Sequence, residues 1–310
     1  MAHVTQPQDD VANWVQVLAD MEVPVLAHGM LLLGGLGLDG DESPQDIADV
    51  VLHDPLLAVN VLRYVQEHRG RRRSTDITTV THAVMMLGIS PFHEKFQSLP
   101  TVEDTLFGHA GALDGLRTVI KRARFSALCA REWACLRKDI DPEEVMVAAL
   151  LHDLAEMLLW CHAPAQMAAV AGMLAENQAL DPDAAQQIVL GFPLSELQSS
   201  LISAWQLPAL LRMLPDPQHA RNPRVLNVEH AVTVAIHYVP GLDTAVLGHD
   251  FSRIGEWLGI APDEVRQHLL RVAASADEMQ LWCCPAETPS HAAAAETGVP
   301  EAGAPSKTRE

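Results

Sequence analysis

The residues most able to do chemistry in this chain are His152 and Asp153. They lie side by side in Leu150-Leu151-His152-Asp153-Leu154, within a run from Met146 to Trp160 whose only other polar member is Glu156. The run reads as one buried helix, apolar nearly all round, with the pair near its middle. A carboxylate among leucines needs a metal, a cation or hydrogen-bond donors as partner. The chemistry on offer is therefore metal ligation, or an ion pair that fixes the core. Glu229, His230 and His237 form a second candidate group: the two histidines are seven apart, on nearly one helix face, and can join His152 and Asp153 around a substitute metal. His53-Asp54 repeats the dipeptide, but Pro55 follows it, so Asp54 reads as a helix N-cap.

The elements that must position these groups are helices. Asp9 or Asp10 opens a helix reaching about Asp20. An apolar stretch from Pro24 ends in glycines at 34, 35, 37 and 40. Ser43-Pro44 and Asp54-Pro55 each pair a cap with proline in the first turn. Thr78 or Thr79 caps a segment stopped by Gly88. A long helix follows from about Leu113 to Leu136, and Asp141-Pro142-Glu143-Glu144 starts the next, its acids complementing the helix dipole. Pro164, Pro182, Pro193 and Pro208 mark later boundaries, with helices near 195–206, 224–238 and 262–279.

The bulk properties agree with an all-α protein. The 310 residues are 48% apolar and carry a net charge of −19. That charge opposes nucleic acid and anionic lipid at long range. The five cysteines form no CxxC pair and Met1 to Asp10 is polar, which reads as reduced thiols in the cytoplasm. No uncharged apolar run reaches the roughly 18 residues of a membrane span. The expected division is an N-terminal helical subdomain at 1–112, a helical domain at 113–285 and a disordered tail at 286–310, where large apolar residues nearly vanish.

Several motifs in order resemble the HDOD family, helical domains of bacterial signalling proteins related to the HD-domain metal phosphohydrolases. Asp54-Pro55-Leu56 with Val61-Leu62-Arg63 resembles its Asp-Pro-x-Leu helix. His82-Ala83-Val84 with Leu87-Gly88 resembles its Ala-Ile-x-x-Leu-Gly segment. Ala149-Leu150-Leu151-His152-Asp153-Leu154 resembles its Leu-Leu-His-Asp-Ile core, and Gly191-Phe192, Trp205 and Leu207-Pro208 its Gly-Phe and Trp-x-Leu-Pro stretch. The match covers roughly residues 20–240 and implies an HD-like helical bundle.

The departures bear on activity. The resemblance implies that a catalytic relative holds its metal with an earlier histidine, the His-Asp pair and a later aspartate. Here Phe125 and Val232 stand at the outer positions, and neither binds a metal. Ala155 and Glu156 replace the Gly-Lys that often follows His-Asp. The site therefore reads as a degenerate HD motif, His152 and Asp153, with no catalytic residue, no metal and no cofactor. The implied role is a regulatory pseudoenzyme acting on a protein partner, a second copy of the chain included, through a groove between the N-terminal helices and the HD-like core. Two alternatives stand beside it: a metal-dependent phosphohydrolase of nucleotides or cyclic dinucleotides, and a nucleotide second-messenger sensor without turnover. The second would use Arg71, Arg72 and Arg73, the one dense run of positive charge, with Arg122 and Arg124 from the long helix as a phosphate or partner grip.

Overall fold

The computed structural model describes residues 10–36, 42–68, 77–238 and 244–280. Seventeen α-helices and one 3₁₀ turn account for most of them, and among the described residues there is no strand. The N-terminal half holds α1 (Val11–Asp20), α2 (Ala27–Leu36), α3 (Pro44–Val51), α4 (Pro55–His68), α5 (Val80–Leu87), α6 (Ile89–Phe96) and α7 (Val102–Thr105). Then come α8 (Ala110–Arg137), α9 (Pro142–Leu150), α10 (Leu154–His162), α11 (Pro164–Glu176), α12 (Pro182–Leu190), α13 (Leu194–Ala204) and α14 (Ala209–Met213). The chain closes with α15 (Pro223–Tyr238), α16 (Thr244–Leu258) and α17 (Pro262–Gln280).

The caps explain most of these starts. Asp10 accepts from Ala12 N. Ser43 and Asp46 form a reciprocal capping box with Pro44 in the first turn. Thr79 accepts from His82 N, and Asp141 from Glu143 N and Glu144 N. Each satisfies amides that have no partner within the helix. Gly88, at φ 85°, ends α5 and begins α6. Glycine adopts that backbone at no steric cost, so two short helices meet there at a sharp corner.

Helix α8 is the spine. Its 28 residues span about 42 Å at the α-helical rise. Against it pack α9, α10, α11, α15, α16 and α17, and α4 reaches it from the N-terminal half. Helix α1 lies against α13, and the Arg63 guanidinium of α4 sits over the Trp205 ring, 4.7 Å from its centroid. The halves thus share one contiguous apolar core that runs from Val11 to Ala276. The boundary expected at 112/113 falls in the first turn of α8, and residues 286–310 lie outside the described residues. An isolated parallel bridge joins Val25 to Thr101, with Val25 N donating to Pro100 O and Val102 N to Val25 O.

One element departs from the sequence reading. The run expected as a single helix is two, α9 and α10, broken at residues 151–153. His152 and Asp153 therefore occupy a turn between helices, not the middle of one. The break holds no glycine or proline to announce it. No helix is expected from the sequence at α6, α7 or α16 either. Pro142–His162 is long and apolar enough by composition to cross a membrane, but it is mostly buried inside the fold.

Candidate functional site

Breaking the helix at 151–153 frees backbone groups that need partners. Gln198, on α13, supplies them: its Oε1 accepts from Ala155 N at 2.8 Å and its Nε2 donates to Leu151 O at 2.8 Å. A single amide thus braces both sides of the turn. Nothing in the local sequence marks Gln198 for this, because the contact spans more than forty residues.

The turn aims Asp153 at α8, where Arg122 meets it. Arg122 Nε donates to Asp153 Oδ2 at 2.8 Å, and Nη2 lies 2.7 Å from both Asp153 Oδ2 and Glu156 Oε2. On the other side, His152 Nδ1 is 2.7 Å from Asp153 Oδ1. Both Asp153 oxygens are therefore engaged by protein groups. Burial alone would raise the Asp153 carboxyl, but the His152 hydrogen bond and the Arg122 charge outweigh it and hold the group well below the usual carboxylate range. The two carboxylates likewise overcome burial and push Arg122 above its ordinary value. Glu156 is raised, because burial and the neighbouring Asp153 charge exceed what Arg122 restores.

The outer positions are closed by apolar packing. Phe125 is buried one turn after Arg122 and stacks on Tyr238, ring centroids 4.9 Å apart and nearly parallel. Val232, on α15, is buried. His230 packs beside Trp257, 5.3 Å between centroids, and burial brings its pKa down to about 4, so it is neutral at physiological pH. His237 pairs with Asp250 of α16 at 2.6 Å. Of Glu229, His230 and His237, expected to converge on His152 and Asp153, Glu229 comes near His152, whereas His230 and His237 turn to Trp257 and Asp250, and among the described residues no group of three or more metal-ligating side chains forms. The residues present do not fit the metal that catalytic HD relatives employ.

Arg122 and Arg124 serve different parts of the fold. Arg122 serves the two carboxylates. Arg124, two positions on and about 200° round the helix, acts electrostatically on His28, His53 and Asp54. Arg71, Arg72 and Arg73 lie outside the described residues. The second His-Asp dipeptide has its own role. Asp54 Oδ1 accepts from Leu56 N and Leu57 N, as an N-cap should, and Oδ2 accepts from Leu26 N at 2.7 Å. It ties α4 to the segment before α2. Complete burial pushes its pKa up to about 6 against those donors.

Beside the turn opens a cavity of about 360 Å³. Leu194, Ile202, Leu211, Leu214, Pro215 and Val228 give it apolar surface. The same lining carries four carboxylates, Asp153, Glu156, Asp183 and Glu229, with His152 and, among the described residues, no arginine or lysine. The cavity lies among α10, α12, α13, α14 and α15.

A helical bundle whose His-Asp turn faces the central helix defines an HD-type domain. The HDOD domain profile matches residues 24–221, nearly two thirds of the chain, and the protein belongs to the HDOD family. Solved structures share the fold. The MmoQ response regulator from Methylococcus capsulatus str. Bath superposes with a TM-score of 0.61 at 14% identity, over 81% of this chain and 98% of that one. A virulence factor from Campylobacter jejuni subsp. jejuni gives 0.61 at 16% identity, over 86% and 97%. No curated protein matches by sequence.

Proposed function

We propose that this HDOD protein is a non-catalytic signal-transduction domain that works through contact with another protein, its HD-type site converted into a structural ion pair. The observation that carries the reading is Arg122. Its guanidinium holds Asp153 and Glu156 at 2.7 Å, so the carboxylate a catalytic relative would give to a metal is spent on an internal cation. Hydrolysis of a phosphate ester needs a divalent ion with an open position to activate water. Phe125 and Val232 offer no ligands toward one. The acidic cavity lining would also repel an incoming phosphate. The names of the structural neighbours, a response regulator and a virulence factor, are compatible with a regulatory role.

The test is the metal content of the purified, dialysed protein by plasma mass spectrometry, with His152→Ala alongside. The same preparations are assayed for manganese-dependent hydrolysis of bis(p-nitrophenyl) phosphate and a cyclic dinucleotide. The expected result is far less than stoichiometric metal in both proteins and no turnover. Stoichiometric metal or turnover that disappears in His152→Ala would establish the phosphohydrolase reading instead. Size-exclusion chromatography with light scattering, run in parallel, decides whether the partner is a second copy of the chain.

A further inference from the structure

We infer that the cavity beside the His-Asp turn receives a basic side chain, arginine or lysine, presented by a partner protein. This rests on the reading of the domain as a non-catalytic protein-binding module and gives that module's partner its chemistry. The cavity's size, about 360 Å³, falls at the small end of ligand pockets and suits one long side chain with its flanking backbone. The lining combines the two surfaces such a side chain combines. Leu194, Ile202 and Leu211 of α13 and α14 offer burial to an aliphatic stem, and carboxylates of the same lining await a charged head.

Charge selects the occupant. Asp153 and Glu156 are already bridged by Arg122, whereas Asp183 of α12 and Glu229 of α15 are exposed at the lining. Glu229 has Arg253 and His152 within electrostatic reach. An anion entering this cavity meets Asp183 and Glu229, which Arg122 does not compensate. A metal ion finds no three ligands gathered at a point among the described residues. A large, diffuse cation requires neither arrangement, and the site already shows a guanidinium seated on two of its carboxylates in Arg122. The net charge of −19 would speed encounter with a basic partner.

The probe is a pentapeptide, acetyl-Gly-Gly-Arg-Gly-Gly-amide, titrated by NMR at low ionic strength. Its citrulline counterpart keeps the shape and removes the charge, and inorganic pyrophosphate tests the opposite sign. The arginine peptide is expected to bind and to weaken with added salt, and the citrulline peptide to bind at least several-fold more weakly. Asp183→Asn with Glu229→Gln, both exposed positions, should cost on the order of tenfold in affinity. Glu264→Gln, outside the lining, should change nothing, and circular dichroism confirms that each variant is folded. No binding of the arginine peptide, equal binding of the citrulline peptide, indifference to the double substitution, or preferential binding of pyrophosphate would each overturn the inference. The phosphodiester assay on the same samples keeps the two ideas apart. Turnover abolished by Asp153→Asn overturns the non-catalytic reading, whereas peptide results alone decide the cation pocket.

Discussion

Replacing Arg122 with methionine isolates what the internal cation does. Methionine keeps much of the aliphatic volume but leaves Asp153 and Glu156 facing one another with no positive charge. Breaking a fully buried pair in this way costs about 3–5 kcal/mol. Here the two carboxylate side chains are 18% and 26% exposed, so solvent screens part of the loss and the expected cost is about 2–3 kcal/mol. At a urea dependence of roughly 2 kcal/mol per molar, that lowers the unfolding midpoint by about 1 M. The pH dependence is the sharper readout. In the wild type the Asp153 pKa is depressed, so its contribution is present above the ordinary aspartate value and is lost as pH falls through the folded one. In Arg122→Met burial dominates Glu156, whose pKa rises further, while His152 still holds Asp153, so the variant gains stability as pH falls through the raised Glu156 value. The deficit should therefore be largest near neutral pH and shrink toward about pH 5. Adding Asp153→Asn and Glu156→Gln to Arg122→Met should recover most of the loss. A deficit below about 0.5 kcal/mol, or one that does not change with pH, would refute the ion pair as the element holding this turn.

Three further outcomes are expected. Gln198→Leu should cost about 1–3 kcal/mol in urea unfolding, because Leu151 O and Ala155 N are left without their shared partner. Gly115→Ala should lower the thermal midpoint although alanine ordinarily favours a helix by about 1 kcal/mol. Its Cβ would stand 2.5 Å from the Trp160 ring, and Trp160→Leu in the same chain should relieve the clash. For Asp54, whose folded pKa is about 6, the stability contribution is full below the ordinary aspartate value and lost as pH rises through about 6. Asp54→Asn should flatten that part of the wild-type stability profile, on the order of 3 kcal/mol in height, measured by urea unfolding across it.

Much of the scaffold was legible because its helix starts carry local signatures. Asp10, Ser43, Thr79 and Asp141 each cap the helix that follows, and four later prolines sit at or beside boundaries. Helix α6 went unread because Gly88 serves as both a stop and a start. The break at 151–153 was hidden for another reason. Its backbone is satisfied from α13 by Gln198, so no breaker residue is needed locally. The site divides similarly. Phe125 and Val232 draw notice only through the family resemblance, which implies ligands at those positions, and both side chains are buried. The use of Arg122 could not be read, because an ion pair between α8 and the turn joins residues 31 apart in sequence. A cluster of arginines on one helix suggests a phosphate grip until the helix phase separates Arg122 from Arg124. Asp54 was read as an N-cap, and its bond to Leu26 N lies equally beyond local pattern.

The sharing of one core across both halves bears on how the protein can be cut. The family pattern stops at residue 221, yet α15, α16 and α17 beyond it cover α8, and Trp14 of α1 before it is buried. A fragment trimmed to the pattern would strip α15 from Phe125 and lose Trp14, exposing the long helix along the flank that packs it. The stretch the family pattern matches and the stretch that packs as one core thus differ in this chain. The smallest piece to express, label or swap between proteins runs from about α1 to the end of α17, and any hybrid joined at residue 221 inherits an open seam rather than a finished surface.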